Sequence, residues 1–145
     1  MPVVDRMLLL GDLKAGETIF DLGSGDGRIV IEAAKKFRAK ATGIEIDEKL
    51  VRQSSEAVRK QHLEKTARIV QGDILKQDYS SADLITVYLW PEANTKVGHL
   101  LEKQLKPGTR VVAHDFEFFE WKASKVDLVE DDGTGRARTL YLYVR

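Results

Sequence analysis

The stretch Phe20-Asp21-Leu22-Gly23-Ser24-Gly25-Asp26-Gly27-Arg28 decides the fold. Residues 18–22 before it are short and apolar, as a buried parallel strand is. Residues 28–37 after it place Ile29, Val30, Ala33, Ala34 and Phe37 on one helical face. A strand that passes through a glycine loop into an amphipathic helix is the opening of an α/β sheet. The glycines permit positive φ and let a ligand approach the backbone with no Cβ in the way. A dinucleotide site would read G-x-G-x-x-G at this place. Here the third glycine comes one residue early, at Gly27, and Arg28 occupies the dinucleotide position. Asp21 adds a negative charge at the strand tip, which repels a pyrophosphate and favours a cationic ligand.

Outward from the loop, apolar runs and amphipathic runs alternate. Residues 3–10 read as a short helix ended at Gly11. Residues 41–46 read as a second strand, and Asp47 caps a helix from Glu48 to about Gln61 with a stripe of Leu50, Val51, Ala57 and Val58. Residues 67–71 read as a third strand closed by Gly72-Asp73, and residues 82–89 as a fourth. Pro91 starts a helix carrying Val97, Leu100, Leu101 and Leu105, which Pro107-Gly108 stops. Residues 110–113 read as a fifth strand. Residues 126–129 and 139–144 read as a closing antiparallel hairpin turned at 131–135. The expectation is a doubly wound, Rossmann-like α/β sheet of about seven strands, mostly parallel, forming one domain over residues 1–145.

Composition narrows the function. The chain has 145 residues, 43% of them hydrophobic and 32% charged, which describes a folded globular protein. It has no cysteine, which excludes a disulfide framework, a thiolate metal site and a cysteine nucleophile; no metal is expected. Its 23 basic and 23 acidic side chains give zero net charge, which argues against a broad nucleic-acid-binding face. No apolar run approaches the ~20 residues of a membrane span, so a cytoplasmic protein is expected.

Two further acids align with the loop. Glu45 ends strand two, 20 residues after Gly25, where a carboxylate accepts hydrogen bonds from both hydroxyls of a ribose. Gly72-Asp73 ends strand three, where a carboxylate accepts from an adenine amino group. All three features fall at carboxyl ends of strands, as the switch-point rule requires. Together they describe a site for a nucleoside with a positive tail.

The D-x-G-x-G-x-G loop, the acid ending strand two and the Gly-Asp ending strand three resemble class I S-adenosylmethionine-dependent methyltransferases. Gly43-Ile44-Glu45-Ile46-Asp47, Leu105 to Val112, His114-Asp115-Phe116 and the terminal Thr139 to Val144 resemble a smaller group of protein-lysine methyltransferases. The resemblance implies that Asp21, Gly23, Ser24, Gly25 and Gly27 hold the methionine part of the cofactor. It implies that Glu45 binds the ribose, that Ile46 packs beside the adenine, and that Gly72, Asp73 and Ile74 complete the adenine site. Tyr88-Leu89-Trp90 would line the methyl-transfer channel. Pro91 follows, unlike the N-P-P-Y of amide and base methyltransferases. Relatives carry a longer N-terminal segment that can close over the cofactor; here Met1-Pro2 precede the helix.

Methyl transfer from a sulfonium requires positioning of the nucleophile more than a strong base. Tyr88 is the candidate to orient it, and His114, at the mouth, is the candidate titrating group; His62 and His99 read as solvated. Acids and aromatics interleave over residues 115–121, which suits a cationic protein substrate presenting lysine. No inserted cap encloses a small acceptor, so an open channel and a monomer or homodimer are expected. Two alternatives remain open at this level. One is methylation of RNA or a small molecule, for which Lys35-Lys36-Phe37-Arg38 and the 60–68 cluster are the available basic groups. The other is a non-catalytic S-adenosylmethionine-binding module.

Overall fold

The computed structural model describes residues 3–89, 91–115, 121–129 and 136–145. The elements run α1 (Val3–Leu10), β1 (Thr18–Leu22), α2 (Arg28–Lys35), β2 (Lys40–Glu45), α3 (Glu48–Lys60), β3 (Ala67–Gln71), a 3-10 turn (Ile74–Lys76), β4 (Leu84–Val87), α4 (Pro91–Gln104), β5 (Arg110–His114), β6 (Lys125–Val129) and β7 (Arg138–Val144). They build a seven-stranded sheet ordered β3-β2-β1-β4-β5-β7-β6. β1 to β5 are parallel, and β7 lies antiparallel to both β5 and β6. The expected α/β sheet is therefore present. The closing pair is antiparallel as expected, but β7 inserts between β5 and β6. Local pattern cannot show this, because both neighbours of β7 offer equivalent ladders. The expected turn at 131–135 lies outside the described residues.

The chain steps outward from β1 to β3, then returns to β4 on the other side of β1. The switch point lies between β1 and β4, at the end of the glycine loop. Strand alternation then assigns faces. Ile19, Ala41, Leu84, Val112 and Leu140 pack in one core with Met7 and Leu8 of α1 and with Val30, Ala33 and Ala34 of α2. Leu22, Ile44, Ile85, Val87, Val111 and Ala113 pack in the other, with Val97 and Leu101 of α4 and with Tyr79. Asp21, Thr86, His114 and Arg138 each stand two residues from a member of the first core. Parity therefore puts all four on the α1 face at or beside the strand tips.

Element ends differ from the sequence reading by one to three residues. β4 stops at Val87, and its end frees Tyr88 and Leu89 from the sheet. β2 ends at Glu45, so Ile46 lies beyond the ladder. α2 ends at Lys35 and leaves Phe37 in the following turn. α3 ends at Lys60, and His62 follows in a turn at φ 58°.

Candidate functional site: the glycine loop and the strand tips

The glycine loop is closed by its own hydrogen bonds. The Gly23 and Ser24 amides donate to the Ile44 carbonyl at 2.9 and 3.0 Å, and the Gly27 amide donates to Ser24 O at 2.9 Å. The Gly25 amide donates to Glu45 Oε1 at 2.8 Å. These four donors are spent, so they form no nest for a phosphate, in contrast to a dinucleotide loop. A Cβ built on Gly25, at φ +57°, would meet nothing within 4 Å, so the loop offers a ligand a bare face there. Gly27 adopts φ +82°, and a Cβ there would come within 2.9 Å of Ser54 Cβ on α3; close packing onto α3 requires glycine at this position.

Asp21 is 4% exposed, and its Oδ1 accepts from Thr86 Oγ1 at 2.8 Å. The two residues are register partners across β1 and β4. Burial raises the Asp21 carboxyl from the ordinary aspartate range to about 7; the Thr86 hydroxyl opposes that rise, and the charges of Asp26 and Glu45 add to it. Without a ligand burial favours the protonated form, and a neighbouring cation favours the carboxylate. Asp26 behaves oppositely, because the Arg28 guanidinium hydrogen-bonds it and holds its carboxyl below the usual range.

A cavity of about 490 Å3 opens on the α1 face of these tips. It gathers Asp21, Gly23, Ser24, Gly25, Tyr88 and His114 from the sequence-derived set. Ser24 Oγ is buried with no hydrogen-bond partner among the described residues and packs against Gly43 of β2, where a Cβ would come within 2.6 Å of it. The Tyr88 and His114 rings meet edge to face at 4.2 Å between centroids. Tyr88 is about half exposed, whereas His114 is buried. His114 Nδ1 lies 4.0 Å from Asp115 Oδ2. That oxygen accepts from Arg138 Nη1 at 2.6 Å, and Asp115 Oδ1 accepts from the Thr139 amide at 3.1 Å. Asp115 is therefore committed to β7 and does not offer a free acid to a substrate, as the sequence reading of residues 115–121 supposed. Trp121 packs edge to face on Tyr143 at 5.6 Å and covers the sheet. Residues 116–120 lie outside the described set, as does Trp90.

The remaining expected residues stand at the neighbouring strand tips. Glu45 is 9% exposed, and its Oε2 accepts from the Asp47 amide at 3.0 Å. Each Glu45 oxygen thus has one lone pair engaged and one left for a ligand hydroxyl. Gly72 donates its amide to Glu45 O at 3.0 Å, which places Gly72-Asp73 beside it. Asp73 caps the 3-10 turn through Oδ1, which accepts from the Leu75 amide at 2.9 Å. The Tyr79 hydroxyl donates to Ile74 O and fixes that turn. Ile46 is 70% exposed at the tip of β2, a large apolar side chain held out beside Glu45. Leu89 lies under Gly23, 3.2 Å from where a Cβ would stand.

Sequence reasoning missed the opposite wall, which is Val3, Val4 and Met7 of α1 with Asp26, Arg28, Ile29 and Arg138. Asp26 and Arg28 were legible as part of the loop. No pattern in the sequence brings α1 or Arg138 to it. α1 itself thus supplies a wall of the cavity.

A nucleoside with a cationic tail suits this set, which joins the buried carboxyls of Asp21 and Glu45 to a loop with no free amide nest. Residues 21–125 match the model of the ANTKMT methyltransferase domain. This chain belongs to that family. It is 41% identical over 143 residues to a protein-lysine N-methyltransferase of Saccharolobus islandicus, an alignment that covers 98% of this chain and 88% of that protein. It is 32% identical to a human lysine N-methyltransferase named for a subunit of ATP synthase. That alignment covers 75% of this chain and 46% of the human protein, so the chain spans about half of that relative. The fold superposes with a TM-score of 0.89 and 40% identity on a solved structure described as an RNA methyltransferase from Salinibacter ruber in complex with S-adenosyl-L-homocysteine. That match covers 98% of this chain and 89% of the other.

Proposed function

We propose that this methyltransferase transfers methyl groups from S-adenosylmethionine to lysine side chains of proteins. The observation that carries the reading is the cavity that joins Asp21 and the glycine loop to Tyr88 and His114, with apolar side chains of α1 in its opposite wall. When bound, S-adenosylmethionine supplies an electrophilic methyl group on a sulfonium centre. The chain's own residues do the rest. Asp21 and the Ser24 backbone hold the cationic methionine end, Gly23 and Gly25 allow close approach, and Gly27 lets the loop pack onto α3. Glu45 accepts from the ribose hydroxyls, Ile46 and Leu89 supply apolar contact, and Gly72, Asp73 and Ile74 form the adenine edge. Tyr88 orients the acceptor amine in line with the methyl group. His114, packed against Tyr88, is the titratable group placed to take the proton that the amine must lose.

The aliphatic side chains of Val3, Val4, Met7 and Ile29 suit the methylene stem of lysine. The Salinibacter protein's description favours a second reading, RNA as acceptor. At the cavity itself the charges favour protein. Both guanidinium groups in the cavity wall are already paired to carboxylates, Arg28 with Asp26 and Arg138 with Asp115, each at 2.6 Å. Lys36, in one of the two basic clusters, pairs with Asp5 and Glu32. A phosphate backbone requires cations that are not so engaged.

The test is incubation with tritiated S-adenosylmethionine and a lysate of the source cell, followed by amino-acid analysis. Methyl-lysine is the expected product, lost in folded Asp21→Ala and Glu45→Ala proteins. Label confined to RNA or metabolites rejects the lysine assignment. Cofactor binding without any transfer would leave a binding module. We further propose a single domain over residues 1–145, acting as a monomer or homodimer in the cytoplasm. No helix among the described residues is long and apolar enough to cross a membrane.

A further inference from the structure

A second concavity, of about 500 Å3, lies between the 3-10 turn and α4. Its floor is apolar, made by Leu75 and Leu100, and Lys96 and Lys103 stand at its rim. Lys96, Leu100 and Lys103 are spaced i, i+4 and i+7 and so share one face of α4. Both lysines are exposed, and neither ammonium has an ion-pair partner among the described residues. Leu75 faces this stripe from a turn that is rigidly placed. The Gln104 amide donates to Gln77 O at 3.1 Å, and Gln104 Oε1 accepts from the Tyr79 amide at 2.8 Å. The segment after the turn is thus tied to the end of α4.

The 3-10 turn starts one residue after Asp73, and α4 starts three residues after Tyr88, on the sheet face opposite α1. A chain whose acceptor side chain enters beside Tyr88 must cross the strand tips to lay its flank in this groove, so a spacer separates acceptor and flank.

We infer that the groove docks an acidic segment of the protein substrate, held extended, with an apolar residue seated between Leu75 and Leu100. The inference rests on the lysine reading above and names what flanks the acceptor. Seven residues of helix place the two lysines about 10 Å apart along α4. In an extended chain residues i, i+2 and i+4 share one face, and the outer two are about 13 Å apart, a separation the flexible lysine stems can match. The segment is thus defined as two carboxylates four residues apart with an apolar side chain midway between them. The apolar floor favours such a peptide over a phosphate backbone, which has nothing to place between the leucines.

The probes are two fluorescent peptides, each with one acceptor lysine. One carries Glu-Ala-Leu-Ala-Glu beyond a set of spacer lengths, and the other carries Gln-Ala-Leu-Ala-Gln. Binding is read by anisotropy with the full chain saturated with S-adenosylhomocysteine, so the readout does not require turnover. The acidic peptide should bind about fivefold to tenfold more tightly at low salt. The double variant Lys96→Glu, Lys103→Glu should erase that preference while its S-adenosylhomocysteine affinity is unchanged. A Leu100→Asn variant should weaken both peptides. Equal binding of the two peptides by the parent protein overturns the inference, as does a preference that survives charge reversal. Loss of oligoribonucleotide binding in the double variant, with peptide binding unaltered, assigns the groove to RNA and also overturns it. Tight acidic-peptide binding with no methyl transfer to lysine leaves the docking intact and rejects the lysine reading instead.

Discussion

Replacing Asp21 by Asn should make the ligand-free protein more stable, with a characteristic pH dependence. Asp21 sits on the first core's face with its Oδ1 on the Thr86 hydroxyl, and burial raises its carboxyl to about 7. In the unfolded chain the same group ionises in the ordinary aspartate range. Between those two values the folded protein holds a proton that the unfolded chain has released, so its stability falls as pH rises. The slope is about 1.4 kcal/mol per pH unit, and above pH 7 the loss levels off at about 4 kcal/mol. Asn has nearly the same shape, keeps an acceptor for Thr86 and never ionises. The advantage of Asp21→Asn should be near zero below about pH 4, grow through the window, and level off above about 7. Urea titrations at several pH values between about 4 and 8.5 measure this directly. The same variant should lose most of its affinity for S-adenosylhomocysteine by calorimetry, since the ligand's cation no longer meets a carboxylate. A stability gain from Asp21→Asn that is flat with pH, or a variant less stable than the parent at about pH 8, would refute the account of Asp21.

Other perturbations follow from the same geometry. Glu45→Gln exchanges an acceptor oxygen for an amide donor and leaves either the Gly25 or the Asp47 amide unpaired; about 1–3 kcal/mol of stability should be lost, with weaker S-adenosylhomocysteine binding, measured by thermal melts and calorimetry. Gly27→Ala combines the left-handed backbone with a contact on Ser54 Cβ and should cost about 2–4 kcal/mol; adding Ser54→Gly should return the steric part but not the backbone part, so full recovery would contradict the φ argument. Tyr88→Phe preserves the ring contact with His114 and removes the hydroxyl, so kcat should fall about 10–100-fold with cofactor affinity unchanged; a change in affinity with kcat intact would reassign Tyr88 to cofactor packing.

The loop and its acids were legible in the sequence because each signal is local. A glycine at position 27 is demanded by a backbone conformation and by α3 directly against it. Glu45 and Asp73 fall where strands end, and strand ends are marked by the loss of apolar residues. Asp47 as a helix cap was equally legible, since capping involves the next two or three amides only. The protonation state of Asp21 was not legible, because it depends on how completely β4, α1 and α2 cover the carboxyl. Asp115 shows the same limit. Its sequence neighbours are aromatic and acidic, but its partner Arg138 is 23 residues away on β7.

From the sequence alone came the alternation that makes an α/β sheet, the break in the dinucleotide pattern, and the set of carboxylates at the strand tips. These features are set within a few residues by backbone sterics and side-chain period. Only the tertiary structure decided that β7 slips between β5 and β6, that α1 walls the cavity, and that His114, Tyr88 and Arg138 share a cavity with Asp21. Those outcomes depend on burying two sheet faces at once, and that free energy belongs to contacts between segments far apart in the chain.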